Sequence, residues 1–456
     1  VLWKIARNNS NMTLTYQEAL GKLRNVAETS LKERNIGQET VPLLDALGRV
    51  AAEDHVSPIA TPPNDTSAMD GYAINSNATM NASADNPVTF VVKGTLAAGD
   101  EPIALSNDPE DGVYPCVEIM TGAQFPQSTT SATFDACVKI EDTVALGRTG
   151  MHSRSKAHAH IAVKKPLPSN ANRRYAGGDM QKGDLIVPKG QVVRSPHIMA
   201  LASVGVTEVV VQRKLRVAVW STGNELSEGP DKNRSDSQIF NSNGPYLCAA
   251  LRELGVNVEY QGILSDHRSN VEAALNSVSV HSWDLIITTG AVSKGKFDFM
   301  LPALEELRAD MHFHGVSIRP GHPVLFATTK RGAGNTRSTP VFGLPGNPIA
   351  TSACFRFLVV PFLRLLVGQA SEQPQTAELL GSSPMFASPS HLDCFRHGTM
   401  SNDDTGRQIV VLNSNQSPAI ISHFAGSNCW VHLPRDRSPR LDITMVYCYS
   451  HIPLLV

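Results

Sequence analysis

The sequence predicts a multidomain α/β protein built around a doubly wound sheet over residues 215–368. Three observations predict it. From 215 onward, apolar strand-like runs alternate with helical segments, the pattern of a parallel sheet wrapped by helices. From about 60 to 178, short β-prone runs sit between Gly, Pro, Asn and Ser clusters, the texture of a β-rich insertion. At 456 residues the chain exceeds one ordinary core, so roughly two to four domains are expected.

The elements follow in order. Residues 14–35, "LTYQEALGKLRNVAETSLKERN", carry apolar residues at helical spacing, with Thr15 placed as an N-cap. "VPLLDALGRVAAEDHVSP" reads as a short helix and an extended exit, and "VTFVVKGTL" and "TFDACVKIED" read as strands of the insertion. In "HSRSKAHAH", His152, His158 and His160 lack Cys or acidic partners, so the stretch reads as a solvated loop before a metal site. "LRVAVWS" is a strand, and "PYLCAALRELG" is a helix with Asn243 as N-cap and Gly255 as its stop. "VNVEYQGIL", the helix "SNVEAALNSV", the strand "WDLIITT" and the helix "FMLPALEELRA" continue the alternation. "TPVFGL" and a long helix over 348–366 close it, and residues 372–456 return to short β segments, a small β domain.

Composition excludes several function classes. Hydrophobic residues make up 41% and charged residues 18%, as in a soluble globular protein. A net charge of −2 offers no global field for nucleic acid or an anionic membrane, so attraction for an anion must be local. No apolar run approaches the ~20 residues of a membrane span. The start is too short in apolar residues for a secretion signal, and it opens on Val1 rather than Met, as a piece of a longer polypeptide would. Seven scattered cysteines without CxxC spacing argue against a disulfide framework and a zinc site, and point to a reducing cytoplasm.

The chemistry gathers at strand ends. "TTGAVSKGKFDF", residues 288–299, follows a strand and opens a helix. Gly290 and Gly295 let the backbone approach a ligand, and the helix start favours an anion such as phosphate. Asp298 suits that guest only through a metal or a proton, and on spacing alone it reads first as an N-cap. "STGNEL" puts Glu225 at the same sheet edge, where it either caps a turn or meets a polar ring or metal. "SIRPGHP" sets Arg319 and His322 on a turn; Arg319 can pair with an oxyanion. "FGLPGNPIA" is a further strand–turn–helix junction, with Pro348 suited to the first helical turn. In "PPNDTSAMDGYAI", Asp70 is either an Asx-type turn or an acid presented on a rigid loop.

Together with "LGRVAAEDHVSP", "TSAMDGYA", "IMTGAQFP", "RRYAGGDMQKGD", "VAVWSTGNEL", "FNSN", "RPGHPVLFA", "GLPGNPIA" and "GSNCWVHLP", these stretches resemble the molybdopterin molybdenumtransferases, or molybdenum insertases. That family includes MoeA-type proteins and the E domain of gephyrin, and the matching pieces run in family order along nearly the whole chain. The resemblance implies four domains. These are a helical domain (12–58 and 180–214), an inserted β-rich domain (59–179), a molybdopterin-binding doubly wound α/β domain (215–368) and a C-terminal β barrel (372–456). It implies a cytoplasmic homodimer whose cleft joins the α/β domain to the partner subunit's inserted domain. The implied reaction takes adenylyl-molybdopterin and molybdate to molybdenum cofactor and AMP with Mg²⁺. A molybdopterin adenylyltransferase, of the G type, is the implied partner. Neither nucleic acid nor a membrane is.

Roles carry over by position in the same way. Gly290, Val292, Ser293 and Gly295 would cradle the terminal phosphate of the pterin through backbone N–H groups. Asp298 matches the loop acid, Glu225 a strand-end acid that meets pterin or nucleotide, and Asp266 another cleft acid. Asp70, Thr121 and Asp179 match residues near molybdate or the metal, with Asp70 and Asp179 as its ligands. Pro345 and Pro348 correspond to the conserved turn of the family motif.

The departures are chemical. The family loop usually reads "GGVSVGDYD", so Ala291 replaces Gly, Lys294 replaces Val and Lys296 replaces an acid. Arg319 and His322 stand where the family has two lysines. Positive charge has thus moved toward the phosphate loop, which would preserve anion binding in an altered geometry. Thr66 replaces Asn, and a usual Gly is missing near Gln416. These changes also admit a divergent paralogue that binds molybdopterin or nucleotide, or scaffolds a partner, without inserting metal. A lone adenylyltransferase fits less well, because all four domains are present.

Overall fold

Thr15 begins the first helix, α1 (Tyr16–Arg34), by a reciprocal cap. The Glu18 N–H donates to Thr15 Oγ1 at 3.2 Å and the Thr15 N–H to Glu18 Oε2 at 2.8 Å. Two otherwise orphaned donors are satisfied by one threonine–glutamate pair. The structure is a computed structural model that describes residues 13–34, 37–148, 159–229, 235–265, 267–277, 283–292, 299–330, 338–380, 389, 391–435 and 445–450.

The chain divides into two compact units, one of residues 54–187 with 196–207, the other of 1–53, 188–195 and 208–456. The first is built on a six-stranded sheet from β1 (Gly71–Ile74), β2 (Val88–Leu96), β3 (Tyr114–Ile119), β4 (Ala136–Lys139), β5 (Thr143–Arg148) and β6 (Ala159–Val163). Their spatial order is β5-β6-β2-β3-β1-β4. His160, expected in a loop, pairs with Val91 inside this sheet, at the head of the buried apolar run Ile161, Ala162 and Val163. His152 and His158 lie outside the described residues.

In the second unit the expected alternation appears as β7 (Arg216–Thr222), α2 (Asn243–Glu253), β8 (Asn257–Leu264), α3 (Arg268–Ser277), β9 (Leu285–Thr289) and α4 (Met300–Glu306). It continues through β10 (Asp310–His314), β11 (Leu325–Lys330) and β12 (Ser338–Leu344). The order β8-β7-β9-β12-β11-β10 holds four parallel strands, then an antiparallel edge pair that alternation alone does not predict. A glycine at φ +70, Gly255, follows the end of α2 as expected. Asn243 does not cap that helix. It is the first helical residue, and Ser242 holds the cap position.

Residues 348–366 form one buried helical run with a π-helical turn at Phe355–Val359. At 19 residues it is long and apolar enough to cross a membrane, which corrects the expectation that no run comes near that length. Yet 83% of it is buried inside the fold, as suits the central helix of a core. Phe355 and Phe362 of this helix share one cluster with Val217 and Ile287 of the sheet, Leu23 of α1 and Trp430. Beyond it, β13 (Gln375–Leu379), β14 (Asp393–Asn402), β15 (Gln408–Leu412), β16 (Cys429–Leu433) and β17 (Met445–Ser450) close into a five-stranded barrel. Phe357 stacks on Phe395 of the barrel at 3.8 Å and 12°. All seven cysteines are free and buried.

Candidate functional site

Because β7, β9 and β12 are parallel, their C-terminal ends share one edge, where sheets of this type bind ligands. The backbones there pack too closely for side chains. Gly290 sits at φ +96, and a Cβ on it would lie 2.5 Å from Thr222 Oγ1 and 2.6 Å from the Thr222 carbonyl oxygen. Its N–H donates to the Leu344 carbonyl at 2.9 Å. The Asn243 side-chain amide donates to Thr289 Oγ1 at 2.9 Å and to the Gly346 carbonyl at 2.7 Å. Asn243 thus ties the end of β9 to the turn before the 348–366 helix. The Pro345 carbonyl accepts from Thr289 Oγ1 at 3.1 Å and from Thr351 Oγ1 at 2.5 Å. Pro348 opens the helix, as its missing N–H favours.

Ala291 keeps the left-handed conformation of the glycine it replaces, at φ +52. The Val292 side chain is buried at 3% exposure, and its carbonyl accepts from His314 Nε2 at 2.8 Å. Ser293, Lys294, Gly295, Lys296 and Asp298 lie outside the described residues, as does Asp266. The cap position of α4 is Phe299, without a side-chain cap bond. At the end of β7, Gly223 has φ +142, and a Cβ there would meet both carboxylate oxygens of Glu225 at 2.6 Å. The Glu225 carboxylate folds over its own turn and remains exposed.

The 319–323 turn faces a cavity of about 700 Å³ lined by Arg319, His322, Pro345, Asn347, Arg396 and the 414–418 loop, with no carboxylate in the lining among the described residues. Gly321 makes the turn at φ +111, against Cys354 Sγ. His322 Nδ1 donates to the Val316 carbonyl at 2.8 Å, which leaves Nε2 as the other ring position. Arg396 is the residue that the sequence reading missed. It is 7% exposed, and its Nε has no hydrogen-bond partner among the described residues. Burial lowers its pKa; the Cys394 thiol opposes that shift and the Arg319 charge adds to it. The guanidinium nevertheless stays protonated. In "DCFRH" Arg396 stands beside Asp393 and His397, so the sequence pattern did not single it out.

Gln416 anchors the loop opposite. Its amide donates to the carbonyls of His397 at 2.8 Å and Asn413 at 3.0 Å, and its Oε1 accepts from the His397 N–H at 3.2 Å. Where a family glycine is missing, the side chain therefore holds the cavity wall.

Within the other unit, both donors of Thr121 fall on one oxygen of Asp70. The N–H to Oδ1 distance is 2.7 Å and the hydroxyl distance 2.9 Å. These two bonds, the backbone one first, hold the exposed Asp70 carboxyl below the usual carboxylate range. Gly71 must be glycine, since a Cβ would lie 2.0 Å from the Val138 carbonyl oxygen across the sheet. Asp179 is exposed on a segment whose N–H donates to the Thr61 carbonyl at 3.0 Å. Asp65 braces the same loops, accepting from Arg173 Nε at 2.8 Å and the Ala176 N–H at 2.7 Å. Among the described residues, no group of three or more His, Cys, Asp or Glu forms a metal cage.

Known proteins share this arrangement. Residues 14–205 match the MoeA N-terminal region (domain I and II), and residues 218–365 match the probable molybdopterin binding domain. The chain belongs to the molybdopterin molybdenumtransferase family. It is 33% identical to the molybdopterin molybdenumtransferase of Synechococcus elongatus over 93% of this chain and 96% of that one. Against the Haemophilus influenzae protein of the same name, identity is 31% over 88% and 90% of the two chains. A crystal structure of a molybdopterin biosynthesis MoeA protein from Pyrococcus horikoshii superposes with a TM-score of 0.74 at 30% identity. It covers 96% of this chain and 99% of that one. The family is one of transferases.

Proposed function

We propose that this transferase inserts molybdenum in molybdenum cofactor biosynthesis, converting adenylyl-molybdopterin and molybdate into molybdenum cofactor and AMP. The observation that carries the reading is the cavity lined by both Arg319 and the buried, incompletely bonded Arg396, with no carboxylate among its described lining residues. A buried cation lacking a partner is costly and suits an oxyanion that would complete it. Molybdate is a dianion of that kind, and the pterin phosphate is another.

The roles then divide. The strand-end backbone around Gly290, with Glu225 and the turn at Pro345 and Pro348, positions the pterin and its phosphate. Ser293, Gly295, Lys294, Lys296, Asp298 and Asp266 belong to the same binding set. Arg319 stabilises charge that develops on the phosphate oxygen as the phosphoanhydride breaks and AMP leaves. His322, with Nδ1 donating to the Val316 carbonyl, leaves Nε2 for the ligand. Asp70, ionised and with Oδ2 free of donors among the described residues, suits Mg²⁺ held also by water and substrate oxygens, with Asp179 as second carboxylate. Mg²⁺ held there would supply charge neutralisation for an oxyanion substrate. Thr121 holds Asp70 in its ionised form.

The four-domain division at 12–58 with 180–214, 59–179, 215–368 and 372–456, a homodimer, a cytoplasmic site and a molybdopterin adenylyltransferase partner complete the proposal. The test is molybdate-dependent AMP release from adenylyl-molybdopterin with Mg²⁺, beside Asp70→Ala. Release by the wild type and at least a ~100-fold loss in the variant are expected. Tight pterin binding with no molybdate-dependent release would make the protein a binding paralogue instead.

A further inference from the structure

A second cavity, of about 170 Å³, lies in the same unit and shares no lining residue with the Arg319–Arg396 cavity. It forms where α1, the 348–366 helix, the segment after that helix and barrel strands β16 and β17 meet. Tyr16, Phe357 and Tyr449 supply aromatic walls, the last two meeting edge to face at 5.3 Å and 86°. Gln369 lines it at 7% exposure, and neither Oε1 nor Nε2 has a hydrogen-bond partner among the described residues. Its backbone is fixed. Gly368 at φ +74 ends the helix, and the Gln369 N–H donates to the Arg364 carbonyl at 2.9 Å.

A buried primary amide with both ends unpaired is rare in native proteins and points to a ligand that supplies an acceptor and a donor side by side. Charge narrows the ligand further. Arg24, Arg356 and Arg364 line the cavity, and Glu372 is the one carboxylate among its lining residues. Glu372 is committed, since both of its oxygens accept from Arg356 Nη2 at 2.7 Å. Arg364 is committed as well, its Nε and Nη2 donating to the Ala370 carbonyl at 3.0 and 2.9 Å, so Arg24, exposed at the rim, is the lining cation that favours an anion. The cavity volume is many times the ~10–15 Å³ of such space that one water needs, room for a flat heterocycle whose charged substituent extends to Arg24.

We propose that this cavity is a nucleoside monophosphate site of the adenine type. Gln369 reads the adjacent N6 donor and ring-nitrogen acceptor of the base, as Gln does with adenine elsewhere. The half-buried Tyr449 packs on the ring, and Arg24 holds the phosphate. The inference rests on the insertase reading for its choice of nucleotide: AMP is what that reaction releases, so the site would sense product.

The test is calorimetric titration of AMP, adenosine and GMP into the full chain, with Gln369→Leu, Arg24→Gln and Arg319→Gln variants. Arg319→Gln weakens AMP at the first cavity and isolates the second. Persistent binding of one AMP per chain in Arg319→Gln is expected, at least 10-fold weaker when Gln369→Leu is added. Arg24→Gln should weaken AMP and leave adenosine unchanged, and Gln369→Leu alone should retain wild-type AMP release at low product. AMP binding that vanishes in Arg319→Gln, or that ignores both Gln369→Leu and Arg24→Gln, would overturn the proposal and leave the amide solvated by water. Absent AMP release with intact AMP binding would instead fail the insertase reading alone.

Discussion

Arg396→Met should move stability and ligand affinity in opposite directions. The wild-type guanidinium is 7% exposed, its Nε lacks a partner among the described residues, and the Arg319 charge adds to the pKa depression that burial causes. Leaving such a donor unpaired costs about 1–3 kcal/mol, more for a charged group, and replacing buried charge by apolar volume is often stabilising. The variant should therefore melt higher, at roughly 2–4 °C per kcal/mol for a unit of this size. Molybdate should bind more weakly. Losing a charge-assisted hydrogen bond of about 1.5–3 kcal/mol corresponds to roughly 10- to 150-fold in Kd. Thermal unfolding without ligand and calorimetric titration of molybdate read the two effects separately. A lower melting temperature with unchanged molybdate affinity would refute the reasoning, because Arg396 would then be a structural residue of the barrel.

Three further outcomes are expected. Lys294→Ala with Lys296→Ala should weaken pterin binding by about 10-fold or more, since each lysine would contribute one charged contact; unchanged affinity would disprove relocation of positive charge to the loop. Ala291→Val should destabilise the protein by about 1–2 kcal/mol in denaturant titration, because a β-branched residue tolerates φ +52 poorly. Thr121→Val should raise the Asp70 pKa toward the usual carboxylate range, followed by carboxyl NMR. The wild-type carboxyl is depressed, so its contribution is present above the unfolded pKa and is lost as pH falls through the folded one. The variant should lose that contribution at higher pH, and an unmoved titration would assign the depression to the Thr121 N–H alone.

Legibility in the sequence followed the range of the forces involved. The cap at Thr15, the parallel strands and Gly255 each stand where the pattern put them. The antiparallel pair β10 and β11 escaped, because its strands flank a Pro-Gly turn whose residues suggested only a loop. Asn243 was misplaced as a cap because its partners, Thr289 and Gly346, are distant in sequence. Arg396 was invisible for the same reason: its meaning comes from a cavity shared with residues 319 and 414–418. Charge patterning marks a residue as unusual, whereas only the fold says what surrounds it.

The geometry also changes how the lysine departures read. A lysine at 322 would place a mobile ammonium in the cavity, whereas His322 is pinned through Nδ1 to the Val316 carbonyl and presents one directed nitrogen. The cationic duty in the lining then falls on two guanidiniums, Arg319 exposed at the mouth and Arg396 buried behind it. Guanidiniums hold flat, paired oxygen edges and keep their charge at any working pH. Oxyanion affinity at this cavity should therefore stay flat from neutral to alkaline pH, where a lysine-lined site would lose affinity as the ammonium deprotonates. Molybdate titrations between about pH 7 and 10 decide between these, and a fall across that range would return the binding charge to the lysines of the 294–296 loop.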